Sequence, residues 1–430
     1  MSSKKVAGAS SSKVSGMRKE QDAPATLAPK LRFPEFRDAD EWAEKEVGEV
    51  FKVTRGEVLS MTLVRDNESE EKPYPVFSSQ TKNKGLAGFY SEYLYEDAIT
   101  WTTDGANAGD VNYRPGKFYC TNVCGVLIST AGFANPCIAA LINSVAKNYV
   151  SYVGNPKLMN GVMSKIRIPF PTIPEQQKIA ECLTTLDEVI AAQSQKLDAL
   201  KTHKKGLMQQ LFPRAGETLP RLRFPEFQAA PEWEYAPLGK LLMNTPDYGV
   251  NAAAVPFSER LPKYLRITDI SENGLYLSDK QVSVDLEPTT GNYLDEGDIV
   301  LARTGASVGK SYRYRKEDGK LVFAGFLIRV KPNRKRLVSN YLANFLTTVQ
   351  FWKWVAITSA RSGQPGINST EYSSLAIPLP PTLPEQQRIA TCLTSLDDLI
   401  TAQNAKLSAL KTHKKGLMQQ LFPSPEKVEA

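Results

Sequence analysis

The run Pro174-Glu175-Gln176-Gln177-Lys178-Ile179-Ala180, continuing to Lys204-Lys205-Gly206-Leu207-Met208-Gln209-Gln210-Leu211-Phe212-Pro213, returns as Pro384-Glu385-Gln386-Gln387-Arg388-Ile389-Ala390 and so on to Pro423. Over these 40 residues the copies share 31 identities at a constant offset of 210, without a gap. Repeat arrays place their copies every ~20 to 50 residues so that neighbours share a core. Here the space between the copies holds a whole domain, and a segment of similar size precedes the first copy.

Within the first copy, Ile179, Leu183, Leu186, Ile190, Gln193, Leu197, Leu200, Lys204, Leu207 and Leu211 step by four and three residues alternately, which is a heptad seam. The second copy repeats it as Ile389, Leu393, Leu396, Ile400, Gln403, Leu407, Leu410, Lys414, Leu417 and Leu421. Thr172 and Thr382, three residues before Glu175 and Glu385, predict a capping box at each helix start. Pro174 and Pro384 fall in the first turn, where a missing N–H costs little, and Pro213 and Pro423 end each run. A helix of this length rises ~1.5 Å per residue and reaches roughly 57 Å. So narrow a seam must be covered, and the nearest partner is the other copy. The first halves carry Glu175, Glu181, Asp187 and Glu188, or Glu385, Asp397 and Asp398, and both second halves carry Lys-Thr-His-Lys-Lys. A parallel pair sets lysines against lysines, whereas an antiparallel pair sets them near acids and opposes the helix dipoles. The spacing therefore predicts an antiparallel coiled coil with pseudo-twofold symmetry.

A second repeat opens each half: Leu31-Arg32-Phe33-Pro34-Glu35-Phe36 with Glu41-Trp42, and Leu222-Arg223-Phe224-Pro225-Glu226-Phe227 with Glu232-Trp233. The chain is thus a tandem duplication of opener, globular segment and long helix. The divisions that follow are a basic tail at 1–30, read as disordered, a first globular domain at 31–172, and a long helix at 173–213. A linker and second globular domain occupy 214–382, a second long helix 383–423, and a short tail 424–430. The globular segments share only traces of a frame, such as Ile168-Pro169-Phe170-Pro171 against Ile377-Pro378-Leu379-Pro380. Lys263 to Asp269 and Asp298 to Arg303 alternate like strands, and Asn340 to Val355 reads as a helix. The fold class is α+β, with two mixed α/β domains carried by the two helices. A scaffold kept nearly identical beside two divergent inserts implies that the inserts do different versions of one job.

The chain has 430 residues, 42% of them hydrophobic, which is ample for two or three packed domains. Its longest apolar runs fall short of the ~18 residues of a membrane span, and no apolar stretch marks a secretory signal, so the protein is read as cytoplasmic. Cys120, Cys124, Cys137, Cys182 and Cys392 suggest neither a disulfide framework nor zinc spacing, and read as small buried hydrophobes. His203 and His413, the only histidines, invite a metal or catalytic pairing, but antiparallel helices hold them apart and they read as solvated residues. The net charge of +7 is uneven. Residues 43–172 balance 13 basic against 13 acidic side chains, whereas residues 303–336 carry 11 against 2. Gly305-Ala306-Ser307-Val308-Gly309-Lys310-Ser311 looks like a phosphate loop, yet it has three residues between the glycines where four are needed. It reads as a strand-turn-strand hinge. Motifs of amino-methylation, cofactor binding and nuclease chemistry are missing, which speaks against an autonomous enzyme.

Taken together, the two globular segments with their Ile-Pro-x-Pro ends, the Pro-Glu-Gln-Gln-(Lys/Arg)-Ile-Ala starts and the Lys-Lys-Gly-Leu-Met-Gln-Gln-Leu-Phe ends resemble the specificity (S) subunits of type I restriction-modification enzymes. The resemblance covers essentially the whole chain after about residue 30, and the duplicated order of the strings is its specific part. It implies two target recognition domains, each reading half of a gapped, asymmetric site in double-stranded DNA, with the helices setting the half-site spacing. It also implies docking of two modification subunits, which bring S-adenosylmethionine and methylate adenine, and of restriction subunits that use ATP and magnesium. On that implication this chain holds no cofactor or metal and catalyses nothing. Arginine and lysine read guanine, and asparagine and glutamine read adenine, while phosphate contacts position the protein. The candidates are Arg55, Gln80, Lys82, Asn83 and Lys84 in the first domain, and Arg303, Lys310, Arg313, Arg315, Arg361 and Gln364 in the second. Tyr312 and Tyr314, interleaved with Arg313 and Arg315, fit either a nucleic-acid surface or an ordinary amphipathic strand. The neutral first domain is awkward for DNA, because phosphate neutralisation supplies much of the affinity. The reading from a different class is an adaptor coiled coil bearing two protein-binding domains.

Overall fold

The computed structural model describes residues 27–79, 82–287, 289–360 and 363–423. The tail expectations at 1–30 and 424–430 fall, apart from residues 27–30, outside the described residues. In chain order the first half contains β1 (Ala43–Glu46), α1 (Val47–Val50), β2 (Lys52–Arg55), β3 (Tyr74–Phe77), β4 (Leu86–Tyr90), β5 (Tyr95–Thr102), β6 (Val111–Cys120) and β7 (Cys124–Ile128). Then come α2 (Pro136–Ala146), α3 (Asn160–Ser164), β8 (Arg167–Phe170) and the long α4 (Ile173–Leu211). The second half runs β9 (Glu234–Pro237), β10 (Asp247–Tyr248), β11 (Ala254–Pro256), β12 (Lys263–Leu265), β13 (Val282–Val284), β14 (Ile299–Ala302), β15 (Ser311–Arg313), β16 (Leu321–Phe323) and β17 (Leu327–Val330). It closes with α5 (Ser339–Phe345), α6 (Val349–Thr358), α7 (Ser369–Ser374), β18 (Ala376–Leu379) and α8 (Leu383–Leu421). The chain forms two compact units, one from residues 1–191 with 408–430 and one from 192–407, so each long helix contributes to both.

In the first unit a six-stranded sheet has the order β2-β7-β5-β6-β3-β4 and is antiparallel except where β3 runs parallel to β6. Trp101 on β5 is buried and lies so close to Gly125 on β7 that a Cβ there would sit 2.1 Å from its ring. Only glycine fits under it. Helix α2 starts where Asn135 accepts a hydrogen bond from the Ile138 N–H at 3.1 Å and Pro136 presets the first turn. It then buries Ile138, Leu141 and Ile142 in the core that holds Ile99, Trp101 and Leu127. That same core takes in Ile179 and Leu183 from α4 and Leu421 and Phe422 from α8.

In the second unit two four-stranded sheets, β10-β17-β14-β15 and β11-β13-β12-β16, replace the single sheet. Ile299, Leu301, Ile328 and Val330 pack with Tyr341, Phe345 and Phe351, and into this core come Leu211 and Phe212 from the end of α4 and Ile389 and Leu393 from α8. Two sequence expectations need correction here. The strand expected over Lys263 to Asp269 stops at Leu265, because Asp269 accepts from the Arg266 N–H at 2.9 Å and closes a 3-10 turn. The helix expected from Asn340 to Val355 breaks at Thr348, whose hydroxyl donates to the Phe345 carbonyl at 2.7 Å and accepts from the Phe351 N–H at 3.2 Å, capping a new helix.

Within each unit the two long helices run antiparallel. In the second unit Lys204 Nζ meets both carboxylate oxygens of Asp397 at 2.6 and 2.7 Å, and Gln193 bonds the side chain of Gln403 and also its carbonyl, at 3.4 Å. In the first unit Lys414 Nζ donates to Asp187 at 2.6 Å. The 210-residue offset maps one lysine–aspartate pair onto the other. All ten seam positions of each helix are buried or half-buried, the polar Gln193 and Lys204 included. A fully buried leucine or isoleucine stabilises by about 1.5–3 kcal/mol, and a half-exposed ion pair by well under half of that. The seam therefore sets the pairing and the charges reject the parallel alternative.

The capping box needs a further correction. Thr382 Oγ1 accepts weakly from the Glu385 N–H at 3.4 Å, but the Glu385 carboxylate turns to Arg223 (2.7 and 2.9 Å) and to Trp233 Nε1 (3.2 Å). Glu175 does the same with Arg32 (2.7 and 2.9 Å) and Trp42 Nε1 (3.0 Å), and each glutamate is 1% exposed. Arg32 further donates to the carbonyls of Ala39 and Asp40, and Arg223 to those of Ala230 and Pro231. The opener also reaches a helix end: Leu31 N–H donates to Gln420 O and Leu222 N–H to Gln210 O, both at 2.9 Å. The neighbouring glutamines are buried as well, Gln176 bonding Pro171 O and Asn135, and Gln386 bonding Arg336 O and the Val338 N–H.

Replacing Arg32 or Arg223 by methionine strands a buried carboxylate, so each variant is expected to lose about 3–5 kcal/mol of stability. The check is urea denaturation, where a variant within ~0.5 kcal/mol of the parent contradicts the arrangement. Lys204→Glu is expected to cost no more than about 1 kcal/mol. Adding Asp397→Lys should restore it in a double-mutant cycle, and zero coupling between the two positions counts against the pairing.

Candidate nucleic-acid interface

In the first domain Arg55 ends β2, paired across to Gly125, and is exposed, with its carbonyl accepting from the Tyr95 hydroxyl at 2.7 Å. Gln80 and the Lys82 side chain lie outside the described residues. Asn83 and Lys84 are exposed on a tight turn, with φ of 51° and 53°. This turn is Lys82–Gly85, and the Ser78 N–H donates to Gly85 O at 2.8 Å. Beneath it lies Arg114, on β6 and 7% exposed. Its Nη2 donates to Lys84 O at 2.6 Å and its Nε to Thr100 Oγ1 at 3.0 Å, and the guanidinium lies 3.7 Å from the centre of the Phe77 ring. Burial pulls its pKa down to about 10. A small polar cavity of about 40 Å³ opens beside it, lined by Ser78, Lys84, Thr100 and Asn112 among others. Nothing in the sequence marks Arg114, which sits in an unremarkable polar stretch of a strand.

In the second domain the candidates fall into two groups. Arg303 stacks on Tyr248 at 4.7 Å, and Tyr248 bonds the Ser369 hydroxyl at 3.3 Å, a contact that lowers the phenol's pKa. Gln364 is exposed, with its amide beside Gly305 at the turn between β14 and β15. The Arg303 N–H donates to the carbonyl of Phe326, a phenylalanine 59% exposed. Arg303, Gln364, Tyr248 and Phe326 thus combine a guanidinium, an amide and two exposed aromatic side chains, the mixture that suits base edges and stacking. Tyr248 and Phe326 escaped the sequence reading because a single aromatic between polar residues looks like any surface residue. Arg361 lies outside the described residues.

Lys310, Arg313 and Arg315 line a groove of about 1220 Å³ instead, together with Lys204, Arg214, Arg221 and Lys353. Nine lysines and arginines face Glu272, Asp397 and Asp398 there. Lys310 pairs with Glu272 at 2.5 Å and Arg315 with Asp318 at 3.2 Å. Arg313 is half-buried, and burial lowers its pKa. The tyrosines between them are core residues: Tyr312 donates to Asp318 at 2.7 Å and Tyr314 to Gly319 O at 3.0 Å. The alternation is that of an amphipathic strand.

The glycine-rich segment at 305–311 is the turn of the antiparallel β14–β15 hairpin, with Gly305 and Gly309 at φ of 72° and 88°. Strand β15 follows it, where a phosphate loop would lead into a helix N-terminus. His203 and His413 are exposed. Cys120, Cys124 and Cys137 are buried, and burial raises all three thiols, Cys124 to about 11. Among the described residues no three His, Cys, Asp or Glu side chains gather to hold a metal ion, and no helix is long and apolar enough to cross a membrane.

Comparison with known proteins agrees with this layout. The family model described as the type I restriction modification DNA specificity domain matches twice, at residues 39–202 and 244–412. The specificity subunit of type I restriction enzyme MjaVIII from Methanocaldococcus jannaschii is 24% identical over 417 residues, spanning 93% of this chain and 95% of that protein. The specificity subunit of type I restriction enzyme MpnII from Mycoplasma pneumoniae is 32% identical over 147 residues, 34% of this chain and 43% of that protein. The chain spans about half the length of several further relatives from that organism. The fold is similar to the crystal structure of a type I restriction-modification system S subunit from M. genitalium, with a TM-score of 0.64 at 16% identity, over 93% of this chain and all of that one. With both halves matched by the family model, the chain belongs to the type I restriction-modification DNA specificity family.

Proposed function

We propose that this protein is the DNA sequence-recognition subunit of a type I restriction-modification complex. Each globular domain reads one half of an asymmetric bipartite site in double-stranded DNA. The two long helices fix the spacing of the half-sites and dock two modification subunits, and restriction subunits join that assembly. S-adenosylmethionine, ATP and magnesium belong to those partners, and the chain itself carries out no catalysis.

The observation that carries this reading is a contrast within one molecule. Opener, buried glutamate and helix are the same in both halves, down to matching distances. The sheets they carry differ, with six strands in one domain and two sets of four in the other. A frame held constant under two different surfaces suits a protein that must place two unlike readers at a set separation.

In the second domain Arg303 and Gln364 are assigned to base edges, and Lys310, Arg313 and Arg315 to the phosphate backbone. Lys310 and Arg315 are already ion-paired, so their contribution to phosphate binding is smaller than their number suggests. Arg303→Ala is expected to weaken binding by the assembled complex about 5- to 150-fold on its own site, equivalent to ~1–3 kcal/mol, with little change on unrelated duplexes. Arg313→Ala is expected to weaken binding to all duplexes alike and to flatten the salt dependence by about one phosphate contact. Fluorescence anisotropy across a salt series measures both. Unchanged affinity and slope remove each residue from the contact surface.

A further inference from the structure

Arg114 and Arg329 are equally deep, at 7% and 4% exposure, and are held in opposite ways. Arg329 has Asp247 and Asp298 as counter-ions. Among the described residues no carboxylate pairs with Arg114. A guanidinium held out of water without a counter-ion works against stability, and an apolar side chain of similar volume would pack there at lower cost. Packing alone therefore gives no reason for an arginine at this place.

What Arg114 does is grip the Lys84 carbonyl at 2.6 Å. Asn83 and Lys84 are consecutive non-glycine residues in the left-handed region, which L-residues rarely enter and hold only where their surroundings impose it. The imposing contacts come from below: Arg114 on Lys84 O, the Ser78–Gly85 backbone bond, and the buried Gly85 itself. Above this fixed backbone the Asn83 and Lys84 side chains are exposed. A donor and acceptor pair on a preset backbone is what reading a base edge requires, and an asparagine amide matches adenine.

We propose that Arg114 is a positioning residue that locks the backbone at Asn83 and Lys84, and that Asn83 so held is a base-reading residue of the first half-site. This rests on the DNA-recognition reading above. A neutral domain can carry specificity of this kind, because base edges are read by contacts separate from those that neutralise phosphates.

The test is selection of bound sequences from a randomised duplex pool by the full chain assembled with its modification subunits. The variants are Asn83→Gly, Arg114→Met and Arg114→Lys. Glycine adopts the same positive φ without strain, so Asn83→Gly removes the amide and leaves the turn. Asn83→Gly is expected to relax preference at one position of one half-site, roughly tenfold or more, with the other half unchanged. Arg114→Met should relax the same half, and Arg114→Lys should recover part of the preference. A purely structural role for Arg114 would lower the bound fraction without altering which sequences are selected. If Arg114→Met does not fold, the other two variants decide. A wild-type selection with two half-sites, beside variants that select the same sequence or change both halves alike, overturns the inference alone. A wild-type chain that selects no two-part sequence overturns the DNA reading and this inference with it.

Discussion

A glutamate at the head of each long helix, 1% exposed and gripped by an arginine and a tryptophan, is the contact on which the rest of the structure depends. Its arginine comes from 143 residues earlier in one half and 162 in the other. A buried carboxylate without that arginine would be costly enough to unfold its surroundings, so the opener and the helix start must come together. The same opener then bonds the closing turn of a long helix through Leu31 or Leu222. Opener, helix start and helix end are thereby tied at one point in each unit.

This tie explains why the two domains are free to differ. Strands β1 and β8, or β9 and β18, close each domain at its root beside the tie, and what lies between has only to cover the helix residues that enter its core, such as Ile179 and Leu183 or Ile389 and Leu393. One domain uses that freedom for a single sheet with α2 on it, the other for two sheets and a pair of helices broken at Thr348. Recognition surfaces can then change without disturbing the helices. The helices answer to a different constraint, a seam in which Gln193 meets Gln403 and Lys204 meets Asp397, where a parallel register would set Lys204 against Lys414.

The frame was legible in the sequence because its signals are periodic or duplicated. A 3.5-residue period shows in ten positions, and a charge gradient along a helix survives without knowledge of contacts. The role of Glu175 was misread because a capping box is a local pattern, whereas its true partners, Arg32 and Trp42, are distant and belong to a motif that reads as separate. The break at Thr348 was hidden for the opposite reason, since an apolar period continues across it and only a hydroxyl decides. The candidate interface was least legible. Arg303 and Gln364 could be picked by residue type, but Tyr312 and Tyr314 face inward, and Arg114 is visible only once Lys84 is seen to turn the wrong way for an L-residue.

Sequencing the methylated adenines in DNA modified by the assembled complex bears most directly on the claim that one frame carries two different readers. The account predicts methylation within an asymmetric two-part site whose halves differ and whose gap is constant. A contiguous site, a palindrome, or a gap that varies from one modified site to the next would contradict it.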